Sequence, residues 1–210
     1  MKTIPREDML EMHDHAMRHP WREGEPLPPP HCCGLRVAYA DPPYIGQAKA
    51  RYSHDPKCAE VDHRALIDHL NTFDAWALSL SSPTLKQILA LCPDGVRVCA
   101  WVKPFCAYKP NVNPAYAWEP VIVRGGRRRT RQQETVTDWV SANITLKRGL
   151  CGVKPEAFCY WLFGMMNLRR GDDFHDLYPG SGAVTRAWKK WENQTTLFSH
   201  NREIERKEVR

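Results

Sequence analysis

The chain has 210 residues, 42% of them hydrophobic and 26% charged, with a formal net charge of +6. That length supports one compact core with little left over, and apolar runs such as Ala75 to Leu80 fall far short of the ~20 residues of a membrane-spanning helix. The modest positive charge says only that a polyanionic partner is tolerated.

Residues 1 to 30 read as a polar leader that carries His13, His15 and His19 and closes on Pro26, Pro28, Pro29 and Pro30, which suit neither helix nor central strand. The leader has no apolar signal segment, so a cytoplasmic location is expected, and the eight cysteines then read as free thiols. No Cys-x-x-Cys pair occurs, and Cys92, Cys99 and Cys106 fit neither a zinc knuckle nor a ribbon, so no metal is expected.

The folded domain is expected over residues 31 to 200. Leu35 to Ala40 has strand character and stops at Asp41-Pro42-Pro43-Tyr44, where two prolines end any sheet ladder. Val61, Ala65, Leu66 and Leu70 fall at helical spacing, and Ala75 to Leu80 reads as a buried strand. Ser82 and Pro83 suit the cap and first position of a helix with Leu85, Ile88, Leu89 and Leu91 inside, stopped by Pro93-Asp94-Gly95. Strands follow at Val96 to Val102 and Glu119 to Val123. The polar, weakly periodic stretch from Gly125 to about Gly152 breaks the rhythm and reads as an insertion. Lys154 to Arg170 restores a helix with Pro155 in its first turn and Gly171 as its C-cap. A short strand at Phe174 to Tyr178, the turn Pro179-Gly180-Ser181-Gly182, a helix from about Ala183 to Trp191 and a charged tail over 201–210 complete the chain. The alternation of strand and helix argues for an α/β sheet.

Three segments carry chemistry. Arg124 to Arg131 packs Arg124, Arg127, Arg128, Arg129 and Arg131 around Gly125 and Gly126. A solvated loop is one reading; a phosphate-contacting loop is favoured, because the planar guanidinium fork matches phosphate. In Asp176-Leu177-Tyr178-Pro179-Gly180-Ser181-Gly182 the glycines permit positive φ, and the following helix offers unpaired N–H groups, so a nucleotide-like ligand can lie across the turn. Thr185 stands where a dinucleotide fingerprint needs glycine, and no Gly-Lys-Ser/Thr occurs for a P-loop. In Asp41-Pro42-Pro43-Tyr44, a carboxylate, the free carbonyl of Pro42 and an aromatic face converge, matching the two N–H donors and flat ring of a nucleobase exocyclic amine.

Together these motifs resemble the S-adenosylmethionine-dependent DNA amino-methyltransferases of the permuted β-type. Asp41-Pro-Pro-Tyr44 is similar to their catalytic motif, Asp176-Leu-Tyr-Pro-Gly-Ser-Gly182 to their cofactor motif, and Lys154-Pro155 to the pair that opens a helix beside the cofactor. The resemblance implies a small doubly wound sheet in which the strand ending at Asp41 lies beside the strand ending at Asp176. It further implies that Asp176, Tyr178, Gly180, Ser181, Gly182, Lys154 and Pro155 serve S-adenosylmethionine. Asp41, Pro42, Pro43 and Tyr44 would receive a flipped base, and Asp41 tilts that base to adenine N6 over cytosine N4. Double-stranded DNA is the expected partner, held by the arginine loop within a loop-rich recognition segment over 104–152. The chain departs from the family in two places: no acidic residue that would bind the ribose is evident after Trp191, and a proline-rich leader stands where a further strand is expected. A catalytically degenerate fold that binds nucleic acid or a partner subunit, and an RNA or N4-cytosine methyltransferase, are the alternatives.

Overall fold

A computed structural model describes residues 34–45, 61–105, 110–144 and 153–193. The leader with its histidines, Cys106 and the charged tail lie outside the described residues. The strands are β1 (Arg36–Ala40), β2 (Ala75–Ser79), β3 (Arg97–Val102), β4 (Trp118–Gly125), β5 (Trp139–Ser141) and β6 (Asp173–Asp176). The α-helices are α1 (His63–Leu70), α2 (Leu85–Leu89), α3 (Glu156–Met165) and α4 (183–193). They build one α/β sheet in the order β5-β3-β4-β2-β1-β6. β1 is parallel to β2 and to β6, β4 is antiparallel to β2 and β3, and β5 is parallel to β3, so β4 alone runs against the rest.

Residue alternation decides which face each helix covers. Val37, Tyr39, Ala75, Ala77, Val121 and Val123 point to one side, where they pack with Phe158 and Leu162 of α3 and Val184 and Trp188 of α4. Ala38, Ala40, Trp76, Leu78 and Ile122 point to the other, against Leu66, Ile67 and Leu70 of α1 and Ile88 of α2. Because both faces are covered, β1 and β2 read as nearly continuous apolar runs instead of alternating ones. The sheet is therefore doubly wound.

Local chemistry sets the ends of the elements, and at three places it differs from the sequence reading. The Asp62 carboxylate caps α1 by accepting the N–H groups of Arg64 and Ala65 at 2.9 and 3.1 Å. Ser82 is not a cap: a 3-10 turn over Ser82–Thr84 precedes α2, and its N-cap is Ser81. The segment after Gly125 is not wholly an insertion, because Trp139–Ser141 joins the sheet beside β3. α3 stops at Met166, well before Gly171. Asn167 takes a left-handed φ of 55°; its N–H donates to Gly164 O at 3.0 Å and that of Leu168 to Phe163 O at 2.9 Å, closing a two-bond C-terminal cap. The Asn167 side chain fixes this geometry by hydrogen-bonding the Arg128 carbonyl and the Gln133 amide.

Candidate functional site

β1 and β6 end side by side: Tyr39 pairs with Asp176, and the Leu177 N–H donates to the Tyr39 carbonyl at 2.9 Å. The next described helix after β1, α1, packs on one face of the sheet, whereas β6 leads directly into α4 on the other. Adjacent parallel strands whose connections diverge leave a crevice at their carboxyl ends, the usual ligand position in open α/β sheets. Asp41 and Asp176 both stand at this point.

Asp41 enters a buried polar network. Lys154 Nζ lies 2.9 Å from both Asp41 carboxylate oxygens and 3.6 Å from Glu119 Oε2, and the Lys154 residue is only 6% exposed. Its ammonium sits over the Trp101 and Phe158 rings at 5.3 and 5.8 Å from their centroids. Glu119 also binds the ammonium of Lys103 and accepts the Tyr44 hydroxyl at 3.0 Å. Pro155 is the N-cap of α3 and holds Lys154 just ahead of the helix. Pro42 is buried, while Pro43 and Tyr44 are partly exposed.

The electrostatics follow from this packing. Burial pushes the Asp41 carboxyl above its usual range, and the pull of Lys154 offsets it only in part. Burial opposes the charge on Lys154 too, but Asp41 and Glu119 outweigh it and hold the ammonium above its ordinary value. For Glu119, burial is outweighed by Lys154 and Lys103, which keep it below the carboxylate norm. Lys154, which the resemblance places beside the cofactor, is paired here with Asp41.

Asp176 has a different environment. Thr185 Oγ1 donates to its Oδ2 at 2.8 Å, and the backbone N–H groups of Thr185 and Tyr178 add to this. Its Oδ1 is buried without a hydrogen-bond partner, and burial raises its pKa. Gly180 and Gly182 adopt φ of 46° and 70° in the turn that follows, and the Ser181 carbonyl accepts from the Arg186 guanidinium at 2.8 Å. Tyr178 packs against the α1 side of the core.

The arginine loop lies elsewhere. β4 runs antiparallel to β2, and Gly125 pairs with Ala75, the first residue of β2, so the loop leaves from the amino edge of the sheet. Gly125 and Gly126 have φ of 75° and 100°, and a Cβ on Gly125 would lie 2.2 Å from the Asp74 carbonyl. Two of the arginines expected to contact phosphate have partners within the chain. Arg127 grips Asp172 with both terminal nitrogens, and Arg129 donates to the carbonyls of Glu134 and Gly164. Arg124, Arg128 and Arg131 make no ion pair with a described residue; Arg128 and Arg131 are exposed.

Sequence reasoning missed Glu119. Its signal was available: a lone carboxylate between Trp118 and Pro120 at an inward-facing strand position, the parity of Val121 and Val123. A cavity of about 310 Å³ opens next to this point, lined by Asn111, Asn113, Tyr116 and Trp118 among others; it holds none of the predicted site residues. Among the described residues no His, Cys, Asp and Glu group could hold a metal ion, and no helix is long and apolar enough to cross a membrane.

No family model and no curated protein matches the chain. Among solved structures it is similar to the M1.HpyAVI–SAM complex, with a TM-score of 0.49 and 14% identity over 76% of this chain and 79% of that one. It is also similar to M1.HpyAVI alone, with a TM-score of 0.42 and 15% identity over 76% and 78%.

Proposed function

We propose that the protein transfers a methyl group from S-adenosylmethionine to an exocyclic amino group of a nucleobase, namely N6 of adenine in double-stranded DNA, with the base flipped into the crevice. The observation that carries this reading is the pair Asp41 and Asp176 at the carboxyl ends of neighbouring parallel strands whose helices diverge.

The residues present suit the cofactor. Asp176 Oδ1 is a buried acceptor in need of a donor, which an ammonium or hydroxyl of the cofactor would satisfy, and the turn through Gly180, Ser181 and Gly182 presents backbone next to it. When bound, S-adenosylmethionine supplies an electrophilic methyl group on a sulfonium. The acceptor side belongs to Asp41, Pro42 and Tyr44. The Asp41 carboxylate, with lone pairs left beyond those engaged by Lys154, accepts one N6–H; the Pro42 carbonyl accepts the other; and together they stabilise the charge that develops on nitrogen. Stacking on Tyr44 contributes about 1–3 kcal/mol toward extrusion of the base. Holding amine and methyl in line lowers the barrier further. Arg124, Arg128 and Arg131 are left for the DNA backbone. Arg124 lies three register positions along β4 from the level of Asp41 and two strands away, roughly 14 Å at ~3.4 Å per residue and ~4.8 Å per strand, and Arg128 and Arg131 follow it in the loop that leaves the amino edge of the sheet.

The test combines calorimetry with labelled S-adenosylmethionine and transfer of the labelled methyl to duplex DNA, followed by nucleoside analysis. Micromolar cofactor binding and labelled N6-methyladenine support the reading. Binding of DNA with no cofactor affinity would replace it with a non-catalytic nucleic-acid-binding role, and a labelled cytosine or RNA product would change the acceptor.

A further inference from the structure

We infer that Glu119 is a positioning residue of this site: its carboxylate fixes the Tyr44 ring through the hydroxyl and shares the Lys154 ammonium with Asp41, so that the stacking face and the amine acceptor are aimed as one unit. The inference rests on the nucleobase-methyltransferase reading and extends it to a strand that carries none of the recognised motifs.

The geometry is that of a bridge. Glu119 sits near the start of β4, where Trp101 of β3 is its register partner, and its side chain is only 18% exposed. Oε2 accepts the Tyr44 hydroxyl at 3.0 Å and lies 3.6 Å from Lys154 Nζ, while Oε1 binds Lys103. Lys154 in turn holds both oxygens of Asp41. Two carboxylates thus face two ammoniums around the Trp101 ring. The cluster is neutral, which suits an uncharged acceptor amine better than a phosphorylated or cationic one.

Tyr44 and Asp41 flank the prolines of a single turn, yet each is tied to a different element, β4 for the ring and the residue ahead of α3 for the carboxylate. Glu119 touches both ties. If it were only packing, its removal would lower stability without redirecting either group.

Beyond Glu119 and Lys154, Asp176 from β6 and the Tyr39 hydroxyl from β1, itself hydrogen-bonded to Ser79 at 2.8 Å, also face Asp41. Glu119 and Lys154 act on Asp41 with opposite signs, and this separates positioning from packing. Removing the Glu119 charge favours the Asp41 carboxylate and moves its titration to lower pH; removing the Lys154 charge moves it to higher pH.

The experiment follows carboxyl carbons of the full-length protein by NMR through a pH titration, in wild type and in Glu119→Gln and Lys154→Met, with Asp41→Asn to identify the resonance. It is paired with steady-state kinetics on duplex DNA and with cofactor calorimetry. Expected are opposite displacements of the Asp41 midpoint in the two variants, a fall in kcat/KM of about tenfold for Glu119→Gln, the size of one lost charged hydrogen bond, and cofactor affinity within threefold of wild type. Tyr44→Phe, which keeps the ring but removes its tie, should reproduce the kinetic loss without displacing the midpoint. Midpoints that stay fixed or move together, or kinetics indifferent to Glu119→Gln, overturn the inference. Since the titration needs no turnover, a protein that transfers no methyl yet shows the opposed displacements would refute the methyltransferase reading and leave the bridge standing.

Discussion

The two ends of β6 carry acids in opposite states. At the amino end, Asp172 has its side chain fully enclosed; it accepts the Leu35 N–H at 2.9 Å and the Arg169 N–H at 2.7 Å, and is gripped by Arg127. At the carboxyl end, Asp176 has one oxygen filled and one buried and empty. Burial acts on both, but at Asp172 the donors outweigh it and hold the carboxyl below its usual range, whereas at Asp176 burial prevails and raises it. A carboxylate whose acceptors are satisfied within the chain stabilises the fold, whereas one with an open buried acceptor costs stability; the proposed reading assigns that open acceptor to the cofactor.

The largest effect is expected from Asp41, the acceptor that the proposed reaction sets beside the open acid of Asp176. Asp41→Ala should lower methyl transfer by a hundredfold or more, on the order of the loss of a preorganised donor or acceptor at a developing charge, while cofactor affinity stays within severalfold. Equal activity in a radiolabel assay would refute the role of Asp41. Next come the two ends of β6. Asp172→Ala strands the Arg127 guanidinium and should destabilise by about 3–5 kcal/mol, a fall in Tm of roughly 10 °C, with little change in cofactor affinity of the folded fraction. Asp176→Asn should do the reverse, holding Tm within a few degrees while weakening cofactor binding by about tenfold. If both variants lose stability alike, the distinction between the ends fails.

The pH dependence sharpens the comparison further. Asp172 and Glu119 titrate below their unfolded values, so their stabilisation is complete above the ordinary carboxylate range and is lost as pH falls through their depressed folded pKa values. Asp41 and Asp176 titrate above theirs, so each costs stability at neutral pH, and that cost is relieved as pH falls through the raised folded pKa toward the ordinary value. Acid unfolding of Asp172→Asn should therefore lose part of the wild-type pH dependence below the usual carboxylate range, whereas Asp176→Asn should keep it. The smallest effects belong to the arginine loop. Arg128→Ala should change stability by no more than about 0.5 kcal/mol. If it meets phosphate, the variant should also reduce the slope of log K for DNA against log salt by about one. Arg127→Ala should instead register as lost stability.

Strong local patterns made most of this fold legible. β1, β2, β3 and β4 are apolar or β-branched runs between proline, glycine and polar turns, and α1 shows plain helical spacing, so all were readable within a residue or two. β5 was not, because Trp139–Ser141 is three residues long and exists only through its pairing with β3. The end of α3 was misplaced because Asn167 took the left-handed position expected of Gly171, a substitution made affordable by bonds to Gln133 and Arg128 that no local pattern reveals. In the site, the two turns were visible because their prolines and glycines have few other uses. Glu119, and the turning of Lys154 toward Asp41, were hidden because they depend on β4 meeting α3 across the sheet edge. The arginine cluster shows the converse: composition displayed its charge, but only the antiparallel direction of β4 shows that it leaves from the amino edge of the sheet, and only the packing shows that Arg127 pairs with Asp172.

The most direct test of the central claim is a crystal structure of the protein with S-adenosylhomocysteine and a duplex carrying an adenine analogue. The account predicts the nucleoside across residues 176 to 182 with a donor on Asp176 Oδ1, and the analogue amine between Asp41 and the Pro42 carbonyl. A ligand seated instead in the cavity beside Tyr116 and Trp118, with Asp176 Oδ1 still empty, would contradict it.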